Sequence, residues 1–342
     1  MIPDAPELIR NYISSETDAT AKRNAFISLI NTNLQLAVEF ITSVWNQIPN
    51  FDSHLQLAVI ELIRRDCKSP TADKGKYMQC IAALMQASAN SVRYEAANTL
   101  VALSSNPKAI KAAATCYIDL VLKESDNNAK LVVLDRLTDL RKIHDRVLED
   151  VVMDILRVLH SPDLSVRKRG LELILESVSS RNVDDVINYL KKELLKSSDA
   201  EFEKSAEYRQ ALINAIHTCA TKFSEVAGNV VNVLTEFLSD SNAASAVDVI
   251  AFIREVMEVF PNLRHDLIHR VLDAFSKIKT GRVYRGALWI VGEYASEEKT
   301  IVDVVKTIMD VLGPLPLLAS EQVSFFLCRT FSLFGVERKG RG

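Results

Sequence analysis

Asn90-Ser91-Val92-Arg93-Tyr94-Glu95-Ala96-Ala97 decides the fold, because its pattern returns about every 37 residues along the chain. It recurs as Asp126-Asn127-Asn128-Ala129-Lys130-Leu131-Val132-Val133 and as Asp163-Leu164-Ser165-Val166-Arg167-Lys168-Arg169-Gly170. An earlier copy is Asp18-Ala19-Thr20-Ala21-Lys22-Arg23-Asn24-Ala25. With the residue before the base as marker, the positions are Ala21, Leu55, Val92, Ala129, Val166, Tyr208, Ala244 and Val283. Their spacings are 34, 37, 37, 37, 42, 36 and 39 residues, the last three markers being the weaker matches.

Each marker is expected to open a helix. Asp18, Asp52, Asn90, Asp126 and Asp163 stand just upstream, where a side-chain oxygen can accept from the free N–H groups of the first turn. The marker starts a buried stripe. Small residues one turn later (Ala25, Ala96, Gly170, Ala287) let a neighbouring helix come close. A base follows the marker at Lys22, Arg93, Lys130, Arg167 and Arg209. Two roles stand open for it: pairing with an Asp of the adjoining repeat, or a solvated surface charge.

Between markers lies a second helix with a 3.6-residue stripe. In Val147 to Leu159, the residues Val147, Val151, Ile155 and Leu159 share one face, Leu148, Val152 and Leu156 widen it, and Asp150, Asp154 and Arg157 lie outside. Pro107, Pro162 and Pro261 sit at helix starts, where a missing N–H costs nothing. The expected class is all-α: a HEAT/armadillo-like α-solenoid of stacked antiparallel helix pairs, about seventeen helices in one continuous array.

Composition agrees. Only 10 Gly and 9 Pro serve 342 residues, too few for the turns of a sheet-rich chain. A net charge of −3 argues against nucleic acid as partner. Five scattered cysteines without a C-x-x-C pair, no N-x-Ser/Thr sequon and no signal peptide fit a reducing, cytoplasmic setting. No uncharged apolar run reaches the roughly 18 residues of a membrane span.

Chemistry finds no candidate, and no cofactor, metal or catalytic residue is expected. His265 and His269 are one turn apart but lack an H-E-x-x-H context. His217 and Cys219, two apart on a helix, diverge, so core packing is preferred to a nucleophilic pair.

Several segments are more specific than a generic repeat. Tyr94-Glu95-Ala96-Ala97-Asn98-Thr99-Leu100, Lys123-Glu124-Ser125-Asp126-Asn127-Asn128 and Val152-Met153-Asp154-Ile155-Leu156-Arg157-Val158-Leu159 resemble the coatomer beta-subunit family of the COPI vesicle coat. So does Tyr284-Arg285-Gly286-Ala287-Leu288-Trp289-Ile290-Val291-Gly292-Glu293-Tyr294, which also resembles the β-type large chains of clathrin adaptors. The resemblance runs from about Ile2 to about Glu321. It implies a non-enzymatic coat scaffold for retrograde Golgi-to-endoplasmic-reticulum and intra-Golgi protein transport, peripheral on Golgi membranes and COPI vesicles. Implied partners are the delta subunit, other coatomer subunits and a GTP-loaded Arf-family GTPase. The rival function is a HEAT-repeat regulatory or nuclear-transport scaffold.

In that family, further repeats precede the matching region and an appendage follows it. The resemblance therefore implies an adaptin-like trunk fragment over 1–320, with the GTPase-binding surface expected on the upstream repeats. From Val323, Ser324-Phe325-Phe326-Leu327-Cys328-Arg329 has no recognised counterpart, so 321–342 is expected to be a tail outside the family. Translated intron is one origin, since Val-Ser can be encoded by GTAAGT.

A partner contact is expected at the start of the helix that carries Trp289 and Tyr294. Arg282, Tyr284 and Arg285 lie there, where side chains can project from the edge of the stack. Arg and aromatic residues are the types that dominate interfaces. Small longin-type chains nestle against large-chain trunks in the adaptor family, which implies a delta-subunit contact. Trp289 itself is expected to pack in the core.

Overall fold

A computed structural model describes residues 4–70, 72–196, 206–223, 243–278 and 280–294, with the single positions 226, 230, 234, 235, 238, 302 and 306. The expected tail at 321–342 lies outside the described residues. Two compact units divide the chain, Met1–Ser177 and Val178–Gly342. The described residues contain sixteen α-helices and no strand.

In the first unit the order is α1 (Ala5–Ser15), α2 (Ala19–Thr32), α3 (Leu34–Ser43), α4 (Ser53–Asp66), α5 (Lys74–Leu84), α6 (Asn90–Leu103), α7 (Pro107–Lys123), α8 (Asn127–Ile143), α9 (Asp145–Glu149), α10 (Val152–Ile155) and α11 (Leu164–Ser177). The second unit carries α12 (Val183–Lys196), α13 (Ala206–Lys222), α14 (Ala243–Val259), α15 (Arg264–Ala274) and α16 (Gly281–Tyr294). Each unit is a stack of antiparallel helix pairs. In the first, α2 packs on α4, α4 on α6 and α8 on α11, while α5 and α7 back onto α6 from the other layer.

The markers open helices as expected: seven are the third residue of a helix, and Ala244 is the second of α14. Asp18 accepts from Ala21 N at 2.7 Å, Asp52 from His54 N at 2.9 Å, Asp126 from Asn128 N at 2.8 Å and Asp163 from Val166 N at 2.9 Å. Asn90 departs from this reading. It is the first helical residue of α6, behind Ala89, and its amide instead donates to Glu124 at 2.8 Å.

At Arg93 and Gln56 the residue after the marker has a role that neither sequence alternative covers. Arg93 Nε donates to the carbonyl of Met85, at the end of α5, at 3.1 Å. Gln56, in the equivalent place, donates to the carbonyls of Ile48 and Pro49 at 3.2 and 3.0 Å. Both side chains are buried and reach back to the last carbonyls of the preceding helical turn, adding to Ile48, which already accepts from Phe51 N at 3.2 Å, and giving a donor to Pro49 and Met85. The acid of Arg93 is Asp119 at 3.6 Å, on α7 of the same repeat rather than an adjoining one.

Close approach falls where small residues were expected. Ala96 is fully buried, and a Cβ placed on buried Gly170 would meet Val158 Cγ1 at 3.1 Å. The segment Val147 to Leu159 is not the single helix its stripe predicted. It breaks into α9, α10 and a 3₁₀ turn, Leu156–His160. Leu148, Val151, Ile155 and Leu159 are buried as expected, and so is Val158. Val158 stands three residues after Ile155 and seven after Val151, on the core side in either winding.

Candidate protein-interaction surface

The exposed face of α16 is set by its apolar sequence. Tyr284, Ala287, Leu288 and Val291 follow helical spacing and are buried, with Val283 and Ile290 beside them. At 100° per residue, Arg282, Arg285, Trp289 and Glu293 then share the opposite side. Arg282 and Glu293 are exposed and Arg285 is half-buried. Neither Arg282 nor Arg285 makes an ion pair or hydrogen bond among the described residues.

Two expectations change. Tyr284 does not project from an edge: it is 2% exposed, with its ring 5.1 Å from that of Phe275. Its hydroxyl has no partner among the described residues, and burial pushes its pKa up to about 12. Trp289, expected in the core, is 44% exposed. The cause is its register, half a turn away from the Tyr284–Leu288–Val291 stripe.

Around Trp289 the structure gathers residues from three helices. The Arg254 guanidinium of α14 stands 5.7 Å from the indole centre, and the Tyr294 ring meets it edge-on at 6.4 Å. Arg264, at the start of α15, lies 4.9 Å from the Tyr294 ring and donates to the Met257 carbonyl at 2.7 Å. Gly286 lets α16 close onto α14, since a Cβ there would sit 3.0 Å from Ile250 Cγ2. The arrangement is a half-open aromatic patch held by cations, beside two guanidiniums without counter-charge among the described residues. Such a surface can bind protein and offers no bond-making chemistry.

The outer sides of the first helices carry polar rungs that the sequence reading missed. In the first unit, Asn31 accepts from Arg65 at 2.7 Å, Arg64 reaches Glu95 and Thr99, and Tyr94 OH accepts from Arg136 at 3.1 Å. Asp135 pairs with Arg169 at 2.8 Å and Arg141 with Glu176 at 3.1 Å. In the second, Gln210 binds Asp248, and His217 Nε2 lies 2.7 Å from Glu255. The available signal was a polar residue facing another one repeat, 31 to 42 residues, along.

The histidine and cysteine candidates are placed as follows. His265 and His269 stack edge-on with ring centres 4.7 Å apart, and no group of three or more metal-binding side chains occurs among the described residues. His217 lies edge-on to Phe252 at 4.8 Å, while Cys219 is buried and its thiol is pushed up to about 11 by that burial. No helix among the described residues is long and apolar enough to cross a membrane.

Comparison with known proteins agrees with this architecture. The chain matches the family described as Adaptin N terminal region over residues 3–338. It is 48% identical over 324 residues to coatomer subunit beta of Rattus norvegicus, covering 94% of this chain and 34% of that protein. Similarity to coatomer subunit beta of Dictyostelium discoideum is 47% over 296 residues, covering 86% and 32%. The chain thus spans about a third of the length of the curated relatives it matches. A solved structure of the TSC2 N-terminus superposes with a TM-score of 0.57 at 10% identity, covering 96% of this chain and 94% of that one, which bears on the fold alone. With its repeat register, its helix-pair stacks and a match over nearly its whole length, the chain belongs to the adaptin N-terminal region family, where its sequence is similar to coatomer subunit beta.

Proposed function

We propose that this chain is a non-enzymatic scaffold, the trunk portion of a COPI coat beta subunit, which works through protein–protein contacts. The observation that carries the reading is 48% identity to coatomer subunit beta over 94% of the chain. That identity favours a coat over the regulatory or nuclear-transport scaffold that repeats alone would allow. The setting that follows is cytoplasmic and peripheral on Golgi membranes and COPI vesicles, in retrograde Golgi-to-endoplasmic-reticulum and intra-Golgi transport. Its partners are the delta subunit, other coatomer subunits and a GTP-loaded Arf-family GTPase.

The delta-subunit contact is proposed at the face of α16 formed by Arg282, Arg285 and Trp289. Two guanidiniums without counter-charge beside a half-open Trp favour an acidic partner surface with an apolar anchor. Titration of the full chain with delta subunit tests both levels. Binding that weakens in Arg282→Glu/Arg285→Glu is expected. A normally folded double mutant with unchanged affinity moves the contact elsewhere, and no binding by wild type removes the coat reading.

A further inference from the structure

The polar rungs of the first unit leave one seam half empty. Side chains bridge α4 to α6, α6 to α8 and α8 to α11. Between α2 and α4 the bridge is Asn31 to Arg65, at the C-terminal end. Nearer the N-terminal ends, no ion pair or hydrogen bond joins these two helices among the described residues. What is left is an open cavity of about 330 Å³ floored by Ile27, Ile30, Leu57 and Ala58.

The ends of this groove differ. Arg65 closes one, held by Glu61 at 2.8 Å and by Asn31 at 2.7 Å, so its charge is compensated. Arg23 and His54 stand at the other. Arg23 donates to the neighbouring Asn24 side chain at 3.1 Å and has no carboxylate partner among the described residues. His54 is exposed. From His54 to Arg65 the groove runs about 16 Å, some three helical turns.

These features select the occupant. A trough between two aligned helices accepts the ridge of a third helix, whose side chains repeat at the same spacing. Anything that covers the apolar floor also removes water from Arg23, and an uncompensated guanidinium strongly resists that. The occupant must therefore bring an anion to that end. We infer that the α2–α4 groove docks an amphipathic helix of a partner protein, about three turns long, with aliphatic side chains on one face and carboxylates at the end that meets Arg23 and His54. This surface lies in the first unit and does not depend on the α16 contact.

The probe is a helix-stabilised synthetic peptide of about fifteen residues with Leu along one face and Glu at one end, read by fluorescence anisotropy against the full chain. Saturable binding is expected, about tenfold weaker or more for Arg23→Glu, the scale of one charge pair turned to repulsion. A Lys-ended version of the peptide should bind Arg23→Glu better than wild type. Leu57→Trp, which fills the groove at a half-buried position, should abolish binding. Absence of saturable binding by the Glu-ended peptide overturns the inference. So does equal affinity for wild type, Arg23→Glu and Leu57→Trp, or binding of anionic lipid vesicles where the peptide fails. The Arg282→Glu/Arg285→Glu chain should bind the peptide normally, which separates failure here from failure of the delta-subunit contact.

Discussion

Arg254 on α14 stands with its guanidinium 5.7 Å from the centre of the Trp289 ring on α16, while its Nε lies 3.6 Å from Glu258 on its own helix. The indole is thus oriented from outside the core, by a cation on the next helix. A Trp held this way is ordered before any partner arrives, which lowers the entropy cost of binding.

Replacing Trp289 with Ala should cost about 1–3 kcal/mol of stability, from the cation–π contact and the covered half of the ring. If the α16 face carries the proposed contact, the same change should weaken delta-subunit binding by about tenfold or more, in the range of an interface hot spot. Calorimetric titration beside thermal unfolding separates the two effects. Equal affinities would remove Trp289 from the contact.

Gly170→Leu should destabilise the chain by about 1–3 kcal/mol through overpacking, because Val158 Cγ1 already stands 3.1 Å from where a Cβ would be. Ala96→Leu should act likewise at its fully buried site. Urea unfolding of both variants is the measurement. Wild-type midpoints would mean that the helix register is wrong at these positions.

Tyr284→Phe should leave stability unchanged or raise it by up to about 1 kcal/mol, because it removes a buried hydroxyl that has no partner. A clear loss of stability in the same denaturation assay would show that the hydroxyl makes a bond.

Cys80 and Cys219 are buried thiols, each pushed up to about 11 from an ordinary 9.0 by loss of solvent. The folded state holds them protonated more tightly than the unfolded chain does. Their stabilising effect is whole below about pH 9 and fades as pH rises toward 11. Unfolding midpoints should fall across that window, and Cys80→Val combined with Cys219→Val should flatten the fall. An identical slope in the double variant would place the titrating groups elsewhere.

The repeat was legible because it is written in residue types that act locally. An Asp caps the first turn, a marker enters the core, and a small residue one turn on admits a neighbour. Asp18, Asp126 and Asp163 needed no tertiary information to be placed. Asn90 did, since its amide turned to Glu124 on a neighbouring segment.

The orientation of single residues on α16 was less legible. Trp289 is apolar enough for a core, and its angle from the Tyr284–Leu288–Val291 stripe shows only once the helix phase is known. Tyr284 was misplaced for the converse reason: its place at the helix start suggested an edge, while its ring fills space against Phe275. The broken segment Val147 to Leu159 was hidden because α and 3₁₀ winding keep the same apolar residues, Val158 included, on the core side there.

The backward reach of Gln56 to Ile48 and of Arg93 to Met85 offsets the cooperative unit from the helix pair. A helix pair cut at the repeat boundary would expose the carbonyls that the following first turn completes. A block of stacked pairs keeps its last carbonyls paired when it carries the opening turn of its successor. Shuffling or grafting of these repeats should respect that staggered frame, with junctions placed after the marker's neighbour rather than before the capping Asp.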